Sequence, residues 1–209
     1  MNILDVCRLA PVIPVVTLED AGQAPELART LVAAGLKALE ITLRTPAALP
    51  ALEAVAKAVP EAVVGAGTLL TAQDVQSAKD AGARFGVSPG ATDRLLEAAA
   101  DAGLPLLPGV ATPSEAMRAA ERGLEILKFF PAEQSGGAAS LRAWASPLPR
   151  LRFCPTGGIT PETAPAYLAL PNVICLGGSW VAPPEAVAAG DWARIGVLAH
   201  QAAALRSAA

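Results

Sequence analysis

The chain has 209 residues, of which 53% are hydrophobic and 17% are charged, and its formal net charge is −3. This apolar content suits a large core, and one proline- and glycine-punctuated pattern continues from end to end, so we expect a single domain over residues 1–209. The scattered charges exclude a basic stripe for nucleic acid and a cationic face for membranes. We therefore expect a small-molecule partner.

Two further features of the composition predict a cytoplasmic protein. Asp5 and Arg8 stand where an export signal would have an uncharged apolar run. The three cysteines, Cys7, Cys154 and Cys175, are odd in number and widely spaced. This spacing favours buried reduced thiols over disulfides or a metal cluster.

Short apolar runs of strand composition alternate with alanine- and leucine-rich stretches of helical period. The predicted strands are Val12–Val16, Ala38–Leu43, Val63–Ala66, Arg84–Val87, Leu106–Val110, Ile126–Phe129, Arg152–Cys154 and Val173–Leu176. The predicted helices lie near residues 21–34, 46–58, 72–81, 92–102, 113–122, 137–145 and 161–169, with more helix after residue 183.

Alternating strands and helices can close into a barrel or open into a doubly wound sheet. No G-x-G-x-x-G follows the first strand, and eight strands match a barrel, so we predict an α/β fold, a single-domain (β/α)8 TIM barrel. Thr45-Pro46, Thr112-Pro113 and Thr160-Pro161 each place a capping hydroxyl before a proline, and Glu115 completes a capping box. Catalytic groups are expected at the C-terminal strand ends.

The second strand reads "LEITLRT", and its alternation puts Glu40, Thr42 and Arg44 on one face, towards the lumen. One interpretation is a structural Glu40–Arg44 salt bridge, because an unpaired buried charge is costly. The other is that Glu40 acts as a general acid/base while the planar fork of Arg44 binds a substrate carboxylate.

The sixth strand carries Lys128, whereas the other three lysines lie in or beside predicted surface helices. Its neighbours Leu127, Phe129 and Phe130 would strip the amine of hydration, which favours the uncharged, nucleophilic form. The alternatives are a lysine that reaches out to solvent, or one that pairs with Glu40 to stabilise the fold.

Glycine pairs follow the last two strands, at positions where barrels commonly bind phosphate. Amides after Gly157-Gly158 and Gly177-Gly178, with the Ser179 hydroxyl, could hold a phosphate, although plain tight turns would give the same pattern. Thr68 follows two glycines that allow close approach of a ligand, and Pro89 is a candidate for the pocket rim.

Seven motifs occur in order over nearly the whole chain: "LEITLRT", "GAGT", "SPG", "PGVATPSE", "KFFPAE", "FCPTGGI" and "GGSW". In these motifs the chain resembles the 2-dehydro-3-deoxy-6-phosphogluconate aldolase family, also called 4-hydroxy-2-oxoglutarate aldolase (KDPG/KHG aldolase). The resemblance implies a class I aldolase that uses no metal or cofactor and assembles as a homotrimer. It implies cleavage of the phosphorylated sugar acid to pyruvate and glyceraldehyde 3-phosphate, and of 4-hydroxy-2-oxoglutarate to pyruvate and glyoxylate.

The resemblance also implies a role for each matched residue. Lys128 would form the Schiff base with the 2-oxo acid and Glu40 would be the general acid/base. The implied carboxylate-binding residues are Arg44, Thr68 and Thr156; the implied phosphate-binding residues are Gly157, Gly158, Gly177, Gly178 and Ser179; the implied pocket wall is Pro89 and Phe130.

Other functions stay open at this point. Some relatives that act on isomeric sugar acids carry an arginine near the end of the first strand, where this chain has Val15, Val16 and Thr17. An aldolase for an isomeric 2-keto-3-deoxy sugar acid phosphate is therefore one alternative. The others are a phosphate-binding barrel isomerase with Glu40 as base, and a non-catalytic sugar-phosphate binding module.

Overall fold

The computed structural model describes residues 1–205, so residues 206–209 of the predicted domain lie outside the described residues. The strands are β1 Val12–Val16, β2 Ala38–Thr42, β3 Val63–Gly67, β4 Phe85–Val87, β5 Leu106–Leu107, β6 Gly109–Val110, β7 Ile126–Phe129, β8 Arg152–Pro155 and β9 Leu176–Gly178. The helices are α1 Ile3–Cys7, α2 Ala24–Ala33, α3 Ala48–Ala58, α4 Ala72–Asp80, α5 Asp93–Asp101, α6 Pro113–Glu121, α7 Gly137–Trp144, α8 Ala164–Leu168, α9 Pro184–Ala189 and α10 Trp192–Ala203.

The strands form parallel sheets, which confirms the predicted α/β class. Six strands pair in the order β5-β4-β3-β2-β1-β9, and three pair in the order β6-β7-β8. Isolated parallel bridges join Phe153 to Val173 and Thr156 to Gly177. Parallel neighbours put their C-terminal ends at one edge, so the residues that follow the strands meet there.

Two predicted strands differ from the observed ones by more than one residue at an end. The run Leu106–Val110 is divided into β5 and β6, because Pro108 has no N–H to donate to a ladder. The Pro108 carbonyl still accepts a hydrogen bond from the Lys128 amide at 2.8 Å. The last strand begins at Leu176, later than predicted, and Val173 contributes only an isolated bridge.

The predicted cap at Thr112 is confirmed. Its hydroxyl accepts a hydrogen bond from the Glu115 amide, and the Glu115 carboxylate accepts from the amides of Thr112 and Ala111, at 2.9 and 2.8 Å. These hydrogen bonds, that from the Ala111 amide first, lower the pKa of Glu115. The carboxylate therefore stays ionised and stabilises the start of α6.

The caps predicted at Thr45 and Thr160 are wrong. The Thr45 hydroxyl donates to the Leu18 carbonyl, and α3 begins at Ala48 with no side-chain cap. Thr160 starts a turn instead, and α8 begins only at Ala164. The Thr45 hydroxyl is used by a partner distant in sequence, whereas the Thr160 hydroxyl accepts from the Thr163 amide within the turn, at 3.4 Å.

Two clusters of buried apolar side chains form the core, and the smaller contains all three cysteines as free thiols, as predicted. Hydrogen bonds with Cys154 and Cys7, together with burial, raise the pKa of Cys175 well above its ordinary value. The Cys175 thiol therefore stays protonated and unreactive. Within residues 1–205, no helix has the length and apolar character needed to cross a membrane.

Candidate active site

The polar face of β2 points away from the main core cluster, as the alternation predicted. Leu39 and Ile41 pack into that cluster, whereas Glu40 and Thr42 are buried on the opposite face. Gly67 on the neighbouring β3 makes room for Glu40, because a Cβ at that position would collide with the Glu40 carboxylate. Close approach of this carboxylate to the β3 backbone thus requires glycine.

Lys128 and Glu40 meet although they belong to different sheets. The Lys128 Nζ lies 3.6 Å from Glu40 Oε1, and their side chains are only 5% and 4% exposed. The same Nζ lies 5.0 Å from the centroid of the Phe130 ring. The structure therefore holds an amine and a carboxylate together, largely out of water, beside an aromatic wall.

Arg44 does not form the salt bridge that one interpretation of the sequence predicted. The ion pair of Glu40 within residues 1–205 is with Lys128, so a structural Glu40–Arg44 salt bridge is wrong. Arg44 follows the end of β2, is exposed, and its Nε donates to the Thr68 hydroxyl at 3.1 Å. Its remaining guanidinium N–H groups make no other hydrogen bond within the described chain, so they are free to bind an anion.

Thr68 has an unusual backbone conformation at the end of β3. Its φ is +62°, a left-handed value that is costly for a β-branched residue. Strain of this kind persists where the surroundings fix the residue, and it is common at functional sites. Here it accompanies the hydrogen bond from Arg44, so these two predicted carboxylate-binding residues are in contact.

Thr156 and the two glycine pairs lie together. Thr156 is buried at the end of β8 and bridges to Gly177, where a Cβ would collide with the Thr156 hydroxyl. Gly157 and Gly158 follow with φ of +108° and +77°, which favour glycine. Ser179 is exposed directly after β9. The first pair lies in a loop, so any anion there would meet loop amides.

The two predicted wall residues follow the fourth and the sixth predicted strands and border this region. Phe130 is partly buried below the Lys128 amine, and a Cβ on Gly157 would lie 3.4 Å from its ring. Pro89 is partly buried, and its carbonyl lies so close to Gly109 that any side chain there would collide with it. Both are therefore near the strand ends where they were expected.

A cavity of about 640 Å³ adjoins the C-terminal ends of β1 and β2. Arg44 and Thr17 line it together with Glu19, Asp20, Gln23, Pro184, Val187 and Ala188. A second cavity of about 640 Å³ has Cys7 and Ile126 in its wall and lies at the opposite strand ends. None of the predicted site residues lines this second cavity.

Sequence reasoning gave no role to three residues beside these groups. Thr42 lies on the same face as Glu40, and its hydroxyl contacts the Val16 carbonyl at 3.2 Å and the Thr17 hydroxyl at 2.8 Å. Glu133 and Tyr167 are joined by a hydrogen bond beside the first glycine pair. The position of Glu133 within "KFFPAE" was the available signal, but a single exposed acid in a loop predicts nothing specific.

The family model described as "Aldolase: KDPG and KHG aldolase" matches residues 3–198. The KHG/KDPG aldolase of Escherichia coli is 50% identical over 92% of this chain and 90% of that protein. The solved 2-keto-3-deoxy-6-phospho-gluconate aldolase of Zymomonas mobilis superposes with a TM-score of 0.93, at 48% identity, covering 100% of this chain and 99% of that one.

A third similar protein is the KDPG aldolase of Legionella pneumophila, whose structure holds pyruvate captured as a covalent carbinolamine intermediate. It superposes with a TM-score of 0.95, at 42% identity, over 98% of this chain and 99% of that chain. The family model and these relatives match almost the entire length of the chain. The similarity is therefore not confined to a local motif. The chain belongs to the KDPG and KHG aldolase family.

Proposed function

We propose that this chain is a class I aldolase, a carbon–carbon lyase that cleaves 2-dehydro-3-deoxy-6-phosphogluconate to pyruvate and glyceraldehyde 3-phosphate. The observation that carries the proposal is the buried contact between Lys128 Nζ and Glu40 Oε1 at 3.6 Å. Covalent capture of pyruvate in the Legionella relative supports the same chemistry here. By the same steps the chain would cleave 4-hydroxy-2-oxoglutarate to pyruvate and glyoxylate.

In the proposed mechanism, Lys128 passes a proton to Glu40, and its uncharged amine attacks the C2 ketone to form a carbinolamine. Glu40 returns that proton to the carbinolamine hydroxyl, so that water leaves and an iminium forms. Glu40 takes the proton of the C4 hydroxyl as the C3–C4 bond breaks, and the bond electrons pass to the iminium to form an enamine. The aldehyde leaves, a proton returns from Glu40 to C3, and water releases pyruvate and regenerates the amine. The steps balance without a metal or cofactor.

Arg44, Thr68 and Thr156 are proposed to bind the carboxylate next to the C2 ketone. Support comes from the free donors of Arg44, from its contact with Thr68, and from the burial of Thr156 directly after β8. A guanidinium presents parallel N–H groups that match a carboxylate. Binding the carboxylate there would direct the ketone towards Lys128.

The other end of the substrate is proposed to lie against the two glycine loops. Amides of Gly157, Gly158, Gly177 and Gly178 and the hydroxyl of Ser179 would bind the phosphate. The adjacency of Thr156 and Gly177 supports this, because it brings the two loops together at one edge. Pro89 and Phe130 would form the apolar wall between the two ends.

We propose that the two sheets form one closed (β/α)8 barrel in a single domain, residues 1–209. Three observations support closure. The strands β5 and β6 adjoin across Pro108, bridges link β8 to the run that ends in β9, and Glu40 of one sheet contacts Lys128 of the other. The similarity to the Zymomonas enzyme over its whole length supports one domain.

A homotrimer in the cytoplasm is proposed on two separate grounds. The trimer rests on the family resemblance of the motifs. The cytoplasmic location rests on the free, buried thiols, since proteins in reducing compartments retain unpaired cysteines. Partners other than the small 2-oxo acid are not needed for the proposed reaction.

Reductive trapping tests the covalent step. Incubation with pyruvate and borohydride is expected to add one reduced pyruvate adduct, and peptide mass spectrometry should place it on Lys128, because this buried amine is the one beside Glu40. The same protein treated with borohydride in the absence of pyruvate provides the background control. An adduct on Lys37, Lys57 or Lys79 would contradict the proposed nucleophile, and no adduct at all would favour a non-covalent isomerase.

Replacing Arg44 with alanine is expected to raise KM for pyruvate-type acids by about 10- to 100-fold, because the variant loses charge-assisted hydrogen bonds to the carboxylate. Inhibition by glyceraldehyde 3-phosphate, which has no such carboxylate, should change much less. Steady-state kinetics with both ligands measures the difference. Arg29→Ala is a matched control, since Arg29 is exposed and its ion pair within residues 1–205 is with the exposed Glu26. Equal effects of Arg44→Ala on both ligands would indicate a structural role.

A further inference from the structure

Glu133 lies against the first glycine pair. The Ala132 amide donates to the Thr156 carbonyl at 2.8 Å, and the Glu133 amide donates to the Gly157 carbonyl at 3.1 Å. A Cβ on Gly158 would lie 2.9 Å from the Glu133 Cβ and 2.8 Å from its Cγ. The loop after β7 therefore supports the loop after β8 through two backbone hydrogen bonds and the aliphatic part of Glu133.

The carboxylate end of Glu133 is held from the other side. Tyr167 on α8 is 1% exposed, and its hydroxyl donates to Glu133 Oε1 at 2.5 Å. Burial, and then the hydrogen bond with the carboxylate, raise the pKa of Tyr167. The hydroxyl thus stays protonated and remains a donor at any pH at which the protein functions.

The charge of Glu133 makes this contact important for an anion site. An exposed carboxylate free to turn towards the glycine pair would repel a phosphate bound there. Tyr167 keeps one carboxylate oxygen directed towards α8, and the two oxygens lie 3.9 and 4.0 Å from where a Cβ on Gly137, the first residue of α7, would be. A negative charge beside the N-terminus of a helix is in a favourable position.

We propose that Glu133 and Tyr167 are positioning residues for phosphate recognition: Tyr167 fixes Glu133, and Glu133 fixes the loop of Gly157 and Gly158. This inference rests on the proposed function, which assigns the phosphate to that loop. Neither residue contacts Lys128 or Glu40 in the structure, so the pair acts on one end of the substrate. The proposal predicts selectivity between phosphorylated and unphosphorylated acids.

The test compares Tyr167→Phe with wild type, using inorganic phosphate as the probe. The dissociation constant of phosphate, measured by calorimetry or by competition, is expected to rise about tenfold, the scale of one hydrogen bond to a charged group. KM for the phosphorylated sugar acid should rise in parallel. KM for 4-hydroxy-2-oxoglutarate and kcat for both acids should stay within about twofold, as for a substitution away from the bound groups.

Three further variants separate positioning from general loss of stability. Ser140→Ala is a matched control, because it removes a 3.0 Å hydrogen bond to the Ser135 carbonyl near the same loop without touching the glycine pair. It should leave phosphate binding unchanged. Glu133→Gln keeps an acceptor for Tyr167 and should retain phosphate binding, whereas Glu133→Ala should match Tyr167→Phe.

The outcomes distinguish this inference from the proposed function. The positioning role would be overturned if Tyr167→Phe left the phosphate dissociation constant unchanged, or if KM rose equally for both acids. Neither result would contradict the proposed aldolase activity. Absence of pyruvate release by wild type would overturn the proposed function, and the phosphate measurements would still decide the role of the pair.

Discussion

Replacing Lys128 with alanine is expected to abolish pyruvate release, with a fall in kcat of at least about 10⁴-fold. The reason is chemical, since without the amine no iminium forms and the electrons of the breaking C3–C4 bond have no acceptor. The trapped pyruvate adduct should disappear as well. A coupled assay for pyruvate and mass spectrometry after borohydride treatment measure the two effects.

Controls must separate chemistry from folding, because the alanine variant leaves Glu40 buried without its partner. Breaking a buried ion pair costs about 3–5 kcal/mol, so a lower melting temperature is expected. Lys128→Arg keeps a positive charge near Glu40 but removes the amine nucleophile, and it should be equally inactive while losing less stability. Lys57→Ala removes an exposed lysine and should be fully active. Turnover retained in Lys128→Arg would exclude a Schiff base at this position.

Replacing Glu40 with glutamine is expected to lower kcat by about 10²- to 10⁴-fold, the usual contribution of a general acid/base. The amide has the shape of the carboxylate, so it fits the space that Gly67 leaves, but it cannot accept the C4 hydroxyl proton. KM should change little, because Glu40 is not assigned to substrate binding. Steady-state kinetics with the phosphorylated acid measures both parameters.

The matched control is Glu53→Gln, since Glu53 is exposed and its ion pair in the described part of the chain is with the exposed Lys57. Borohydride trapping adds a second readout for Glu40→Gln, because the Lys128 amine is still present and the pyruvate adduct should still form. A slow reaction with an intact adduct would assign Glu40 to proton transfer. Wild-type kcat in Glu40→Gln would contradict that assignment and would make the buried pair structural.

Together these variants discriminate between the functions that the residues alone left open. A barrel isomerase with Glu40 as its base would lose activity in Glu40→Gln but would give no pyruvate adduct on Lys128. A non-catalytic binding module would show no turnover in wild type. An aldolase for an isomeric sugar acid would give the same adduct and would differ only in the stereochemistry of the acid it cleaves.

The order of strands and helices could be predicted from the sequence, because apolar spacing and turn residues are local features. The polar face of β2 was likewise predictable, since the side chains of a strand alternate between its two faces. The assignment of Lys128 to a buried strand followed from its apolar neighbours. The ends of the strands could be predicted less well. Pro108 divides one predicted strand, because it has no N–H to donate where a neighbouring strand would accept a hydrogen bond.

Pairing between distant residues was decided by the tertiary structure. From the sequence, Glu40 had two candidate partners, Arg44 four residues away and Lys128 on a distant strand; the fold brings Lys128 to it and directs Arg44 to Thr68. The Tyr167 hydroxyl reached Glu133 in the same way. The sequence by itself therefore determined which residues are buried and polar at the strand ends, because that depends on local pattern. Only the tertiary structure decided which of them touch, because the chain must fold before groups on separate strands share one space.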